Sequence, residues 1–319
     1  MTNLRPCLTE TNLPWPNKQV GKVRDTYDLG EFLAIVTTDR QSAFDRILCS
    51  VPYKGQVLNL CSAWWFQQTE HIVPNHVVDV PDPNITIAKK CLVFPIEFVV
   101  RGYMTGSTST SIWTQYQQGN RNYCGVSLPD GLKKNDKLTH PILTPTTKAD
   151  NHDRPISPEA IISEGWMTQA HWQAASEIVM KLFQFGSDIA RQKGLILVDT
   201  KYELGVDSQG QITLVDEVHT PDSSRYWLAE SYEQRHQQGL EPESFDKEFL
   251  RLWFMQHCNP YEDDVLPKAP DDLIETLSTR YIHLFETITG QPFQYPLPTD
   301  NMNKRMVANL NKYMHVMAL

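Results

Sequence analysis

Leu195–Arg225 reads LILVDTKYELGVDSQGQITLVDEVHTPDSSR. Apolar and β-branched residues alternate with polar ones on both sides of Asp207-Ser208-Gln209-Gly210, the pattern of two strands joined by a tight turn. Gly210 supplies the positive φ that such a turn requires. With Ser208 and Gln209 as a two-residue loop, Lys201 faces Asp216 and Glu203 faces Leu214. Side chains alternate with period two, so Asp199, Lys201, Glu203 and Asp216 share one sheet face. Three carboxylates and an ammonium on one face make a seat for hard cations and phosphate-bearing ligands. The same alternation also describes a polar face turned to water. A loop one residue longer would break this register.

Composition sets ordinary bounds around this hairpin. A chain of 319 residues is long enough for a sizeable core and two domains. Hydrophobic content of 40% and charged content of 21% fit a soluble globular protein. A net charge of -9 argues against a general nucleic-acid or membrane-surface binder. No apolar run approaches the length of a membrane span, and MTNLRPCLTETNLPWPNK lacks the basic start and apolar core of a signal peptide. The six cysteines are scattered without a CxxC pair and read as reduced thiols in a cytoplasmic protein. The ten histidines show no HExxH spacing, so a zinc site is not expected.

Along the chain, VGKVRDTYDLGEFLAIVTTD reads as two strands turning at Asp28-Leu29-Gly30. Val57 to Val73 has helical length and stops at Pro74. ITIAKKCLVF and IEFVVRGY read as strands separated by Pro95. Residues 119–158 are rich in Gly, Pro, Asn, Asp and Lys and read as a long loop. Residues 168–193 form an amphipathic helix that ends at Gly194, and the chain beyond Arg225 is helical in character. Strands first, then strands mixed with helices, give an α+β protein of two lobes.

Several short motifs hold candidate ligand groups. Gly21-Lys22-Val23-Arg24-Asp25 places two cations at i and i+2 of a strand beside a glycine, an arrangement for covering nucleotide phosphates or a plain basic strand. Thr38–Arg46 follows an apolar strand and either lines a cleft or caps the next turn. Arg101 and the run Gly106–Ser111 join a strand to a helix, where hydroxyls and free N–H groups favour an anion or cap the helix. Lys148 sits among prolines and threonines, and Arg225 is suited to a phosphate, a carboxylate or a local pair with Asp222. Paired acids with separate cations fit ATP-dependent chemistry, kinase-like or ligase-like.

Read together and in order, GKVRDTYDLG, TTDRQSAFD, VPYKGQVLNLCSAWWF, PIEFVVRGYMTGSTSTSIW, LTPTTKAD, LVDTKYELG and LVDEVHTPDSSRYW closely resemble the SAICAR synthetase family, phosphoribosylaminoimidazole-succinocarboxamide synthases, in its longer form. The similarity runs from about Val20 to Trp227 and continues loosely beyond. It implies a ligase of purine biosynthesis that joins carboxyaminoimidazole ribonucleotide (CAIR) to L-aspartate, with ATP converted to ADP and phosphate. A carboxylate is a poor electrophile, and phosphorylation by ATP would make it an acyl phosphate open to the amine. The reactants are all anions, so Mg²⁺ and several Arg and Lys side chains are implied.

The resemblance also implies roles. Gly21, Lys22, Val23 and Arg24 match the hairpin over the ATP phosphates, and Lys148 matches a lysine on the nucleotide side. Glu203 and Asp216 match the metal-binding acids. Arg101 and Ser107 match CAIR contacts, joined by Asp199, Lys201 and Arg225, with Arg225 on the phosphate and Asp199 and Lys201 at the reacting centre. Asp39, Ser42 and Asp45 match a segment near the aspartate and CAIR end, and Lys90–Val99 the connection that holds the adenine. The implied fold is ATP-grasp-like, with ATP between an N-terminal lobe (1–115) and a second lobe (116–319) that ends in helices. The expected partners are small molecules, without nucleic acid or membrane, for a monomer or homodimer. A phosphotransferase that stops at a phosphorylated product is the rival enzyme class, and a non-catalytic nucleotide-binding module is the other.

Overall fold

A computed structural model describes residues 6–148, 154–245, 247–297 and 301–317. Two antiparallel sheets organise an α+β fold of two lobes. The first sheet contains β1 (Lys18–Val20), β2 (Arg24–Asp28), β3 (Phe32–Thr37), β6 (Val77–Asp82) and β7 (Ile85–Lys89), in the order β1-β2-β3-β7-β6. Between β3 and β6 lie the hairpin β4 (Arg40–Ala43) and β5 (Arg46–Ser50) and the helix α1 (Lys54–Thr69). The β2–β3 turn falls where the sequence puts it, with Gly30 at φ 89°. Alternation buries Tyr27, Ala34, Val36, Ile85 and Ile87 on one face of the sheet.

That face is covered by the two ends of the chain. Leu8 and Leu13 pack on it, and so do Met306 and Leu310 of the C-terminal helix α8 (Met302–Met317). Arg305 of α8 forks onto Asp82 at 3.0 Å through both Nε and Nη2, and Asn309 donates to the same carboxylate at 2.7 Å. Asp82 is fully buried, so this bidentate pair fixes how α8 lies on the sheet. The α1 helix starts three residues before the expected Val57 and ends at Thr69, whose hydroxyl bonds back to the Trp65 carbonyl. It packs against α7 (Asp271–Thr289) and is buried on most of its circumference, its polar residues Lys54, Gln56, Asn59, Ser62 and Thr69 included.

The second sheet is built on β14 (Leu195–Val206), which pairs with β8 (Leu92–Val93), β9 (Ile96–Tyr103), β15 (Ile212–Val215) and β16 (Ser224–Leu228). The chain passes from one sheet to the other between Lys89 and Leu92. On the back of this sheet lies α4 (Gln169–Gln192), capped by the Thr168 hydroxyl and ending before Gly194 at φ 74°, as its sequence period requires. Residues 119–158 are not one long loop. They contain β10 (Asn122–Tyr123), β11 (Val126–Ser127), β12 (Lys137–Leu143) and β13 (Thr146–Thr147), and β12 and β13 extend the sheet along β9. Short helices α2 (Ile112–Gln117) and α3 (Pro158–Ser163) flank them, while α5 (Ala229–Gln237) and α6 (Glu248–His257) follow β16. No helix among the described residues is long and apolar enough to cross a membrane.

The β14–β15 register differs from the expected one by a residue. Glu203 faces Val215, Leu204 faces Leu214, and Val206 faces Ile212. The loop has three residues, Ser208–Gly210, with Gly210 left-handed at φ 76° and Asp207 Oδ1 accepting from the Gln209 and Gln211 amides. A continued strand would therefore send Asp216 to the far face. Instead β15 stops at Val215, and Asp216 takes a left-handed φ of 63° that swings its carboxylate back beside Lys201.

Candidate functional site

Direct cross-strand pairing assembles the cleft. Asp199 of β14 faces Arg101 of β9 on one side and Arg225 of β16 on the other. Both guanidinium groups reach its Oδ2, Arg101 at 3.2 Å and Arg225 closer. Two residues along the same face, Lys201 lies 2.6 Å from Glu203, 3.1 Å from Glu97 and 3.7 Å from Asp216. Glu203 also receives the ammonium of Lys148, which the β13 connection brings over the sheet. Ala149 and Asp150, the rest of that motif, lie outside the described residues. Burial alone would lower the Lys201 pKa, but Glu203, Glu97 and Asp216 outweigh it and hold it well above the ordinary range. In this arrangement Lys201 is held as a cation.

Arg24 of β2 closes the cleft from the other lobe, at 3.0 Å from Asp216 and 2.9 Å from Glu217. Here too burial pulls the pKa down and the facing Glu217 and Asp216 carboxylates more than restore it. Lys22 does not share its direction. It sits in the two-residue turn of the β1–β2 hairpin, not on a strand, and its half-exposed ammonium meets Asp45 at the tip of β4–β5. The Val23 carbonyl accepts from the Thr38 amide and hydroxyl. Gly21 is forced, since a Cβ there would lie 2.8 Å from the Arg24 carbonyl oxygen. Arg40 braces this turn, donating to the carbonyls of Gly21 and Lys22 and pairing with buried Asp25 at 2.6 Å.

Asp39 and Ser42 enter the cleft wall only indirectly. Asp39 is buried and accepts from the Leu8 amide at 2.7 Å and the Gly55 amide at 2.8 Å, so it anchors the start of α1. Burial pushes its pKa up to about 6 against those two bonds. Ser42 contributes its carbonyl, which accepts from Lys247 at 2.9 Å. Ser107 lies farther out, where its hydroxyl donates to Glu248.

A group not expected from sequence sits behind the cleft. Asp222 receives Lys247 at 2.8 Å, Gln41 at 3.1 Å, Lys54 at 3.2 Å and the Tyr281 hydroxyl at 3.2 Å. Lys54 is completely buried at the first turn of α1. Burial would raise the Asp222 pKa, but Lys247 and Lys54 hold it well below the usual carboxylate range. These residues come from both lobes and from α7, so no local pattern announces them. Glu97 was readable, because it shares the period-two face of β9 with Arg101.

Of these groups, Arg101, Asp199, Lys201, Asp222, Arg225 and Lys247 line a cavity of about 190 Å³. A second hollow of about 770 Å³ adjoins it and shares Arg225. Among the described residues, no group of three or more His, Cys, Asp or Glu side chains would hold a metal ion by itself. Glu203 of β14 and Asp216 in the bend after β15 flank one ammonium, a donor set that fits Mg²⁺ when phosphate and water oxygens complete its shell.

The family model described as SAICAR synthetase matches residues 17–268. The phosphoribosylaminoimidazole-succinocarboxamide synthase of Legionella pneumophila (strain Paris) is 63% identical over 308 residues, covering 97% of this chain and 99% of that protein. The chloroplastic synthase of Arabidopsis thaliana is 61% identical, covering 92% of this chain and 74% of that protein. Among solved structures, the SAICAR synthase of Saccharomyces cerevisiae in complex with SAICAR aligns with a TM-score of 0.76 at 33% identity, covering 90% of this chain and all of that one.

Proposed function

The chain belongs to the SAICAR synthetase family and joins CAIR to L-aspartate in purine biosynthesis, and from that premise we propose how its cleft does so. ATP lies between the lobes, with its phosphates under the Gly21–Arg24 turn. The CAIR carboxylate sits over the Lys201 face, and its ribose phosphate lies toward Arg225 and Ser107. The observation that carries this reading is the single sheet face on which Arg101, Asp199, Lys201, Glu203 and Arg225 converge beside Asp216.

In this mechanism, a CAIR carboxylate oxygen attacks the γ-phosphorus of ATP and ADP leaves. The neutral aspartate amine then adds to the acyl carbon, and the C–O bond to phosphate breaks as the amine's proton passes to the departing phosphate, leaving the amide. Lys201 as a cation stabilises charge on the carboxylate and the transferring phosphoryl group. Asp199 holds Arg101 and Arg225 in one orientation, which places two cations against the substrate without reorganisation. Glu203 and Asp216 would hold Mg²⁺, which when bound supplies screening of the phosphate charges. Arg24 and Lys148 stand next to those acids as the nucleotide-side cations, and Lys22 leaves Asp45 to reach the phosphates. The cytoplasm is the compartment that suits six free thiols.

The deciding assay couples ADP release to ATP, Mg²⁺, CAIR and L-aspartate, with each omitted in turn. Release that requires all four, with formation of SAICAR, is the expected result. ADP release without aspartate would favour the phosphotransferase. For Arg225→Ala, loss of charge-assisted bonds of about 1.5–3 kcal/mol weakens CAIR roughly 10- to 100-fold, while KM for ATP stays within about twofold. Equal losses in both constants would remove Arg225 from the CAIR phosphate.

A further inference from the structure

We propose that the Glu248 carboxylate is a built-in stand-in for the substrate's phosphate, filling the phosphate subsite until a phosphate monoester displaces it. The inference rests on the placement of CAIR given above and adds a residue to which no role has been given. Glu248 opens α6. Its Oε1 accepts the Ser107 hydroxyl, while its Oε2 lies 3.4 Å from Arg251 Nη1 and 4.0 Å from Arg225 Nη2. A hydroxyl and two guanidinium groups around one oxyanion form a receptor for phosphate, and here a side chain of the protein occupies it.

Burial would raise the Glu248 pKa, yet Arg225 and Arg251 bring it below the ordinary carboxylate value. The group is thus an anion at neutral pH and competes with any incoming anion. A phosphate dianion carries more charge and more acceptor oxygens than a carboxylate, so it wins this exchange, whereas a lone carboxylate of similar strength does not. Glu248 also borders the hollow of about 770 Å³, which leaves the displaced side chain room to turn. The subsite would then discriminate the ribonucleotide from its nucleoside at the entry step. Apparent affinity equals intrinsic affinity reduced by the fraction of chains in which Glu248 has swung aside.

The test compares wild type with Glu248→Gln, which keeps an acceptor for Ser107 and removes the charge. Inorganic phosphate is titrated as a competitive inhibitor against CAIR, and KM is measured for CAIR and for ATP. Expected are a roughly five- to tenfold fall in both the phosphate Ki and the CAIR KM, with the ATP KM unchanged. Phosphate and CAIR binding that is unchanged or weaker in Glu248→Gln would overturn the proposal and make Glu248 a positioning residue for Ser107 and Arg251. Tighter inorganic phosphate without tighter CAIR would keep the stand-in and reject the CAIR placement, so the two failures are separable. A second measurement uses the wild-type chain crystallised with CAIR. Loss of the Ser107–Glu248 contact is expected, and its persistence alongside bound CAIR would overturn the displacement even if the variant failed to fold.

Discussion

Asp216→Asn is expected to lower kcat on the order of a thousandfold while the protein stays folded. Asparagine tolerates the left-handed φ of 63° that position 216 requires. Arg24 keeps Glu217 at 2.9 Å and Lys201 keeps Glu203 at 2.6 Å, so no buried cation is stranded. What disappears is half of the proposed metal seat and one of the carboxylates that hold Lys201 charged. The measurement is steady-state ADP release with saturating Mg²⁺, paired with a thermal melt. A rate near wild type would sink the metal assignment. A collapsed melting temperature would show instead that Asp216 serves stability.

Asp222→Ala should do the reverse and strike the fold first. Its carboxylate neutralises completely buried Lys54 and nearly buried Lys247. Removing one partner of a buried pair leaves an uncompensated charge and costs roughly 3–5 kcal/mol. That loss is read as a lower denaturant midpoint. The pH dependence has a definite sign. The folded pKa of Asp222 lies below the ordinary 3.8, so its stabilisation is complete above about pH 4 and fades as pH falls through the folded value. Wild type and Asp222→Ala should therefore differ most at neutral pH and converge in acid. A constant gap across pH would mean that the pair contributes little as ions.

The contrast between these two acids shows what the sequence reveals and what it hides. Asp199, Lys201 and Glu203 are legible because strand alternation puts them on one face, and the amphipathic helix at 169–192 is legible from its period. Asp216 reaches that face for a reason other than register. The loop is longer by one residue, and a left-handed residue compensates, a cancellation invisible in a hydrophobic pattern. Lys22 and Asp39 look equally polar in sequence, yet one is half-exposed at a turn and the other is consumed by two backbone amides. The strands β10, β11 and β13 have two residues each, too short for any periodic signal. The Asp222 group is assembled from distant segments by tertiary packing alone.

The seating of α8 on the first sheet carries a consequence for the birth of the protein. A ribosome makes Tyr27, Ala34, Val36, Ile85 and Ile87 well before Met306 and Leu310, the α8 side of their cover. Until α8 is made, the nascent sheet has only the Leu8 and Leu13 side of its apolar cover, and Asp82 waits without Arg305. The first sheet to emerge is thus sealed only once α8 has been made. A chain stalled before residue 302 should be captured by chaperones and nicked by protease in β1–β3, and the released chain should resist both.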